Sequence, residues 1–234
     1  MNILLLMMGG SGTRFGADRP KQYTMLDGKP IFAYILEAYQ NLPDIDRTVI
    51  VTNGDWVDFV NEWVAKMPRR EIISVTVGGA SRSESVLNGL KAASAFASND
   101  DNVLIHDATH PYVDVEGTRK IVEALKEYGG ATLGACQYDT CYEMDENQVI
   151  RQVIPRQKLV SGASPEAFHF GDIYRIYTSS TKEELDAMTS AGAIALHNGI
   201  TMKVIPANVL NLKITYPGDM ELFTDLCHTY FFRK

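Results

Sequence analysis

The sequence predicts an α/β fold in which a mostly parallel sheet is flanked by helices and a β-hairpin arm protrudes. Short β-rich runs alternate along the chain with stretches whose apolar residues repeat at helical spacing. The alternation breaks between residues 137 and 157, where two short β-rich runs flank a polar turn. Parallel neighbouring strands need a crossover helix to return the chain, so the alternating part predicts the sheet and the break predicts the arm.

The predicted strands are runs rich in apolar and β-branched residues. Those of the sheet are Asn2–Met7, Arg47–Thr52, Ile72–Val77, Val103–His106 and Ala131–Cys136. In the arm, Tyr138–Glu143 and Gln148–Ile154 are predicted to flank a turn at residues 145–147. The arm has too little apolar surface to form a core of its own, so we expect it to pack against another surface, such as a second subunit.

The predicted helices are recognised by their apolar stripes and by the residues at their ends. Pro30 and Pro217 each stand at a predicted first helical position. Capping boxes are predicted at Ser81 with Glu84 and at Thr181 with Glu184. Apolar stripes cover 56–67 and run from Val115 to Tyr128, where the second stripe stops at Gly129. Ligands of such a sheet are expected at the carboxyl ends of its strands.

The 234 residues are expected to form one domain, because α/β folds of about 200–250 residues often share a single core. A hydrophobic fraction of 45% and a charged fraction of 22% are typical of folded proteins. The longest apolar run, Ile3–Met8, is far shorter than the roughly 20 residues of a membrane span, and it lacks the basic leader of a secretory signal. We therefore expect no membrane partner.

Charge and cysteine content narrow the class of protein further. The net charge is −7, so no global basic field favours nucleic acid, and any anionic ligand must be met by local cations. The cysteines are Cys136, Cys141 and Cys227, an odd number without a C-x-x-C pair. This pattern favours free thiols in a reducing cytoplasm over a disulfide framework or a structural zinc site.

A glycine-rich segment follows the first predicted strand directly and is the best candidate for a phosphate site. Residues 9–16 read G-G-S-G-T-R-F-G, and Arg14 within them is followed by Lys21. Glycine lets the backbone turn its N–H groups towards an anion, and the two cations strengthen that interpretation. Phe15 stands where a dinucleotide fingerprint needs its third glycine, and no P-loop string exists, so neither a dehydrogenase nor a P-loop enzyme is favoured.

Asp107 is the metal candidate, because it stands at the carboxyl end of a predicted strand in the string H-D-A-T-H-P. Mg²⁺ binds through one or two carboxylates together with phosphate oxygens of a substrate. The alternative is an aspartate that stabilises a turn or caps a helix. The neighbouring His106 and His110 are either general bases or hydrogen-bonded structural residues, and their spacing does not favour zinc.

Two further segments could contact a ligand. Gly78-Gly79 and the residues up to Ser85 join a strand to a helix, so their backbone could contact a base or simply begin a well-capped helix. Lys213 stands among apolar neighbours shortly before Pro217, where an exposed lysine of no special role is the alternative.

Four separated motifs, in order along nearly the whole chain, resemble those of the cytidylyltransferases that act on 2-C-methyl-D-erythritol 4-phosphate and on ribitol 5-phosphate. They are G-x-G-x-R-F-G followed by P-K-Q-Y, G-G-x-x-R-x-x-S-V-x-x-G-L at 78–90, H-D-A-x-x-P at 106–111 and N-L-K-I-T-x-P at 211–217. The resemblance implies a Rossmann-like fold and transfer of CMP from CTP to a polyol phosphate with release of pyrophosphate and help from Mg²⁺. It also implies a role in isoprenoid synthesis or in making teichoic acid or capsule precursors.

The resemblance assigns roles to the matching positions. Arg14, Lys21 and Lys213 would bind or neutralise the triphosphate and the acceptor phosphate, and Asp107 would hold the metal and the ribose. The cytosine would contact Gly79 and Ser85, and the nucleotide would lie close to Gly10 and Gly12. The arm would swap across a homodimer and bring Thr140 and Arg156 to the partner's acceptor site.

Three departures from the family's motifs fall on the acceptor side. His110 stands where the family has arginine, Tyr142 follows Thr140 where the family has T-x-K, and Ser164 and Glu166 stand in the family's T-P-Q. His110 and Ser164 are expected to line the acceptor site, and Glu166 adds a negative charge that suits an unchanged phosphate site poorly. These departures leave the identity of the acceptor undecided. The sequence around Arg156 favours ribitol phosphate.

A catalytically silent nucleotidyltransferase-like module, serving as a binding or regulatory subunit, is the alternative function. Loss of cationic residues would mark such a module. The chain keeps Arg14, Lys21 and Lys213 as well as Asp107, which favours the enzyme.

Overall fold

The structure of the protein is a computed structural model, and it describes residues 1–9, 19–42, 44–207 and 212–227. The strands in these ranges are β1 (Asn2–Met8), β2 (Met25–Leu26), β3 (Lys29–Pro30), β4 (Arg47–Thr52), β5 (Ile73–Val77), β6 (Asn102–Asp107), β7 (Gly130–Cys136), β8 (Cys141–Met144), β9 (Ile150–Ile154), β10 (Val160–His169) and β11 (Met202–Pro206). The helices are α1 (Ile31–Gln40), α2 (Val57–Val64), α3 (Arg82–Ala93), α4 (Val115–Ala124), α5 (Phe170–Ser179), α6 (Lys182–Asp186), α7 (Ala191–His197) and α8 (Pro217–Leu226).

The central sheet has, within the described ranges, seven strands in the order β11-β7-β10-β6-β1-β4-β5. Neighbouring strands are parallel except at β10, which runs antiparallel to both β6 and β7. The predicted mostly parallel α/β sheet is confirmed. The adjacent strands β6, β1, β4 and β5 all point the same way, so their carboxyl ends meet at one edge.

Helices cover both faces of the sheet, because alternate side chains of β1 enter two separate cores. Leu4, Leu6 and Met8 pack in a cluster with α1, α2, α4 and α8. Ile3, Leu5 and Met7 pack in a second cluster with α3, α5, α6 and α7. Full burial on both faces explains why β1 is a continuous apolar run rather than an alternating one. None of the helices in the described residues is long and apolar enough to cross a bilayer.

Some predicted helix ends differ from the structure. Pro30 is not the first helical residue: its backbone is extended and pairs with Met25, so α1 begins one residue later. The predicted helix to Tyr128 ends at Ala124. Beyond it the regular pattern is interrupted, because the amides of Lys126 and Glu127 donate three residues back, to Glu123 and Ala124. At Thr181 the capping box is complete, and α8 begins at Pro217 as predicted.

The capping box predicted before α3 is formed only in part. Ser81 is the N-cap and its hydroxyl accepts from the Glu84 amide at 3.1 Å. The carboxylate of Glu84 accepts instead from the amide of Ala80, at 2.8 Å, so it supports the turn before the helix.

The arm is an antiparallel hairpin of β8 and β9, shorter than predicted. The carboxylate of Asp145 accepts from the amides of Asn147 and Val149, so residues 145–149 form a turn rather than strand. At the paired positions Tyr142 and Val153, 55% and 59% of the residue surface is exposed. The arm therefore presents uncovered apolar surface.

Candidate functional site

The candidate site lies at the common edge formed by the carboxyl ends of β1, β4, β5 and β6, where the parallel topology predicts it. Gly9 follows β1, Gly78 follows β5, and Asp107 is the last residue of β6. Gly10, Gly12 and Arg14 lie outside the described residues, so their predicted roles stay predictions.

Gly9 and Gly78 let two loops approach each other beside α3. A Cβ atom on Gly78 would lie 2.7 Å from Oγ of Ser85, and one on Gly9 would lie 2.9 Å from the same atom. The buried Ser85 hydroxyl accepts from the Gly79 amide at 3.0 Å and donates to the Ser81 carbonyl at 2.9 Å. Ser85 thus holds the glycine turn in shape, and any contact with a base comes from the turn it supports.

Arg82 and Asp107 form an ion pair in the middle of the site. Nη2 and Nε of Arg82 lie 3.1 and 3.3 Å from Oδ1 of Asp107. Burial alone would raise the pKa of Asp107, but the charges of Arg82 and Lys213 outweigh it and hold that pKa below its ordinary value. Asp107 is therefore a carboxylate at neutral pH, with both arginine contacts on one of its two oxygens.

Glu166 is the second carboxylate near Arg82. Its Oε2 lies 4.0 Å from Nη2 of Arg82, and its Oε1 accepts from the Gly192 amide at 3.0 Å. Burial is the main cause that raises the pKa of Glu166, while Arg82 acts in the opposite direction. The carboxyl group predicted to add negative charge on the acceptor side thus lies between Arg82 and a backbone amide.

Arg82 is the site residue that the sequence analysis did not single out. Burial tends to lower its pKa, but Asp107 and Glu166 outweigh burial and raise it. A signal was available, since Arg82 is the arginine of the motif G-G-x-x-R. Only the fold shows that this arginine turns from the start of α3 towards the end of β6.

Ser164 and His110 meet beside Asp107, as expected for residues of one site. The Asp107 amide donates to Oγ of Ser164 at 3.2 Å, and the same oxygen lies 3.0 Å from Nδ1 of His110. Burial, followed by the charge of Lys213, lowers the pKa of His110 to about 4. His110 is therefore uncharged at neutral pH.

His106 is a structural residue rather than a general base. Its Nε2 lies 2.8 Å from the carbonyl oxygen of His110, which can only accept, so Nε2 carries the hydrogen. Its Nδ1 then accepts from the hydroxyl of Tyr39, also at 2.8 Å. Burial lowers the pKa of this fully buried imidazole to about 4.

Lys213 lies next to Asp107 and His110 because its segment is bonded to their loop. The Ile214 amide donates to the Thr109 carbonyl at 2.8 Å. The exposed ammonium of Lys213 lowers the pKa of both Asp107 and His110. Lys213 therefore lies at this edge of the sheet, and its phosphate-binding role stays a prediction.

Lys21 begins a short 3-10 helix that is fastened to the end of β1. The side chains of the next two residues, Gln22 and Tyr23, both donate to the Met8 carbonyl, at 2.8 and 3.0 Å. The carboxylate of Asp219 accepts from two backbone amides that follow Lys213 in the chain, and these bonds lower its pKa. The charge of Lys21 lowers the same pKa further. Both predicted lysines therefore belong to the same side of the molecule.

Thr140 and Arg156 lie at the base of the arm. Both residues are exposed, and the guanidinium of Arg156 donates to the Tyr138 carbonyl. The structure therefore joins Asp107, His110, Ser164 and Lys213 in one cluster, and in the described part of the chain no hydrogen bond or ion pair links Thr140 or Arg156 to it.

The donor set suits a metal that takes few protein ligands. In the part of the chain that the structure describes, no three His, Cys, Asp or Glu side chains converge as a metal site. Asp107 offers Oδ2 beside an Oδ1 already engaged by Arg82. One carboxylate oxygen fits Mg²⁺, which keeps several waters and binds substrate phosphates, and does not fit a zinc centre.

Comparison with known proteins covers nearly the whole chain. The family model described as "IspD: 2-C-methyl-D-erythritol 4-phosphate cytidylyltransferase" matches residues 2–226. The ribitol-5-phosphate cytidylyltransferase of Streptococcus agalactiae is 29% identical over 97% of this chain and 95% of its own length. The 2-C-methyl-D-erythritol 4-phosphate cytidylyltransferase of Clostridium acetobutylicum is 32% identical over 94% of each chain.

Solved structures agree on the fold. The 4-diphosphocytidyl-2C-methyl-D-erythritol synthase of Anaerococcus prevotii superposes with a TM-score of 0.81 at 21% identity, over 97% of this chain and 98% of that one. The relatives are named as enzymes, which supports the cytidylyltransferase over the silent module. The chain therefore belongs to the 2-C-methyl-D-erythritol 4-phosphate cytidylyltransferase family and is a CTP-dependent nucleotidyltransferase.

Proposed function

We propose that this enzyme transfers CMP from CTP to a polyol phosphate of the methylerythritol or ribitol type, with ribitol 5-phosphate as the favoured acceptor. The observation that carries the proposal is the ionised Asp107, paired with Arg82 and flanked by Lys213 at the carboxyl end of β6. At this edge the Asp107 carboxylate is available to a metal cation, and the exposed ammonium of Lys213 is available to phosphates. The name of the Streptococcus agalactiae relative and the context of Arg156 support the ribitol acceptor.

The chemistry needs charge stabilisation more than proton transfer. An oxygen of the acceptor phosphate attacks the α-phosphorus of CTP, the bond to the bridging α–β oxygen breaks, and pyrophosphate leaves with that electron pair. A phosphate monoester has a second pKa near 6, so its attacking oxygen is already anionic at neutral pH. His106 has both ring nitrogens hydrogen-bonded, consistent with a reaction that needs no general base.

The cationic side chains would bring the two polyanions together. Lys21 and Lys213 would bind the triphosphate and the acceptor phosphate and stabilise charge as it develops on the α-phosphate. Asp107 would hold Mg²⁺ through Oδ2, and the bound ion would neutralise phosphate charge. Arg82 keeps Asp107 ionised and fixed in orientation, which makes Arg82 a positioning residue.

We also propose that the arm completes the acceptor site of a second copy. Thr140 and Arg156 are exposed at the base of the arm, where they would be accessible to a partner's site. Exposed apolar side chains on the arm, including Tyr142 and Val153, would be covered in such a homodimer. Free thiols at Cys136, Cys141 and Cys227 favour a cytoplasmic enzyme.

The test is pyrophosphate release from CTP with ribitol 5-phosphate, with 2-C-methyl-D-erythritol 4-phosphate and with other tetritol and pentitol phosphates. We expect turnover with ribitol 5-phosphate and near-complete loss in Asp107→Asn. Asp172 on α5, with 48% of its side chain exposed, supplies the matched control, Asp172→Asn, which should keep wild-type turnover. CTP binding without nucleotidyl transfer to any acceptor would instead indicate a silent module.

A further inference from the structure

His110 is held from two sides at the end of β6. Its backbone amide donates to the Asp107 carbonyl at 2.9 Å, and its own carbonyl accepts from Nε2 of His106 at 2.8 Å. His106 is in turn held by the Tyr39 hydroxyl. The backbone of His110 is thus held at both of its polar groups by neighbouring residues of the fold.

The hydrogen bonds of Ser164 determine which ring nitrogen of His110 carries the hydrogen. The Ser164 hydroxyl accepts from the Asp107 amide, and its own hydrogen needs an acceptor because the residue is 9% exposed. Among the described residues, Nδ1 of His110, at 3.0 Å, is the acceptor within reach. Nδ1 therefore accepts, and the hydrogen of an uncharged ring is on Nε2.

The charges around His110 suit a hydroxyl better than a second phosphate. Lys213 is the described cation that acts most strongly on the ring, and Arg82, which acts more weakly, is already engaged by Asp107 and Glu166. A phosphate dianion placed against the ring would also approach the Asp107 carboxylate.

On the basis of the proposed function, we propose that His110 is a specificity-determining residue that donates its Nε2 hydrogen to a hydroxyl oxygen of the acceptor polyol. Ser164 is the positioning residue that fixes this hydrogen on Nε2. Where the family's motif has arginine, a guanidinium suited to phosphate, this chain has a single directed N–H donor. The acceptor side would therefore recognise the polyol chain at this point and leave its phosphate to Lys213 and the other cations.

The first test measures the ring itself and needs no turnover. In enzyme with ¹⁵N-labelled histidine at neutral pH, long-range ¹H–¹⁵N spectra should show His110 protonated at Nε2 and unprotonated at Nδ1, with the signal assigned by its loss in His110→Gln. Ser164→Ala should give a mixture of tautomers, and Ser164→Thr, which keeps the hydroxyl, should not. A ring protonated at Nδ1 in wild-type enzyme overturns the proposal.

The second test locates the contact on the acceptor. Ribitol 5-phosphate is compared with analogues that each lack one hydroxyl, in wild-type enzyme and in His110→Phe. We expect His110→Phe to lower kcat/KM for ribitol 5-phosphate by about 10- to 100-fold with the KM for CTP almost unchanged, because one directed hydrogen bond is lost. One deoxy analogue should show a similar loss in wild-type enzyme and little further loss in the variant.

Two outcomes separate the inference from the proposed function. If His110→Phe lowers kcat/KM by the same factor for every deoxy analogue, His110 does not contact a hydroxyl and the proposal is wrong. If no polyol phosphate is turned over, the proposed function fails. In that case the ¹H–¹⁵N spectra decide the proposal on His110. It fails if addition of ribitol 5-phosphate and addition of 2-C-methyl-D-erythritol 4-phosphate both leave the Nε2–H signal of His110 unshifted.

Discussion

Arg82 and Asp107 join two parts of the site that are far apart in the sequence. Arg82 is the first residue of α3 and Asp107 the last residue of β6, and Nη2 of the first lies 3.1 Å from Oδ1 of the second. The glycine turn before α3 and the carboxylate proposed to hold Mg²⁺ are therefore fixed relative to each other. A substitution in the glycine turn should therefore alter the position of the Asp107 carboxylate, and a substitution of Asp107 should alter the turn.

Replacing Arg82 should damage both the fold and the reaction. Arg82→Gln leaves Asp107 and Glu166 without their shared cation, so we expect the free energy of unfolding to fall by about 1–3 kcal/mol. We expect kcat/KM to fall by about 10- to 100-fold, because Asp107 loses its fixed orientation. Urea denaturation and steady-state kinetics measure the two effects.

The exposed arginine of α5 provides the control for that variant. Arg175→Gln removes a guanidinium that is 70% exposed and paired only at i,i+3 with Asp172, so stability and turnover should stay near wild type. Wild-type kinetics in Arg82→Gln would show that Asp107 does not need its partner.

Removing either proposed catalytic lysine should slow the reaction with little change in stability. We expect Lys21→Ala and Lys213→Ala to lower kcat by roughly 10²-fold, because each removes charge stabilisation from the α-phosphate. Lys126→Ala, at a position where 70% of the side chain is exposed, is the matched control. Near wild-type turnover in both variants would contradict the proposed roles, and unchanged thermal unfolding would exclude misfolding as a cause of any loss.

The buried His106 should make the protein less stable in acid. Its pKa is lowered from 6.5 to about 4 in the folded state, so between these pH values the unfolded chain binds a proton that the folded chain does not. The free energy of unfolding should therefore decrease as the pH falls from about 6.5 to about 4, by at most about 1.4 kcal/mol per pH unit for this one proton.

A His106→Phe variant tests that assignment. It should be less stable than wild type at neutral pH, because Tyr39 and the His110 carbonyl lose their partner. Its stability should also depend less steeply on pH over the same interval, as followed by urea denaturation. An equally steep dependence in the variant would mean that other groups, such as His110, account for the whole effect.

The arm predicts complementation between two inactive variants. If Arg156 serves the partner's acceptor site, Arg156→Ala and Asp107→Asn each inactivate a different component of the shared site. Mixing and re-equilibrating the two proteins should restore part of the activity, since one mixed site has an intact Asp107 and an intact partner arm.

Tyr142→Asp supplies a further test of the same assembly. A charge on the exposed apolar face of the arm should dissociate the homodimer, which light scattering after size-exclusion chromatography measures directly. Failure of complementation, together with a monomeric wild-type enzyme, would show that the acceptor site is built from one chain.

Elements with local signals can be recognised from the residues of the chain without any knowledge of the fold. Apolar runs identified β1 and β4 within a residue, Pro217 identified the start of α8, and the polar turn at 145–147 identified the arm. The motifs also named Asp107, His110, Ser164 and Lys213, because residue type and order along the chain suffice for that.

The antiparallel placement of β10 between β6 and β7 depends on long-range pairing. The segment from Val160 to His169 contains Gly162, Ser164 and Pro165 and has an irregular register, so it lacks the alternation that marks a strand. Its pairing with β6 brings residues about 60 apart in the chain together, and no local pattern encodes such a contact. That pairing puts Ser164 beside Asp107 and His110, and it puts Glu166 beside Arg82. Which ring nitrogen of His110 carries the hydrogen, and which carboxylates share Arg82, follow from that long-range pairing.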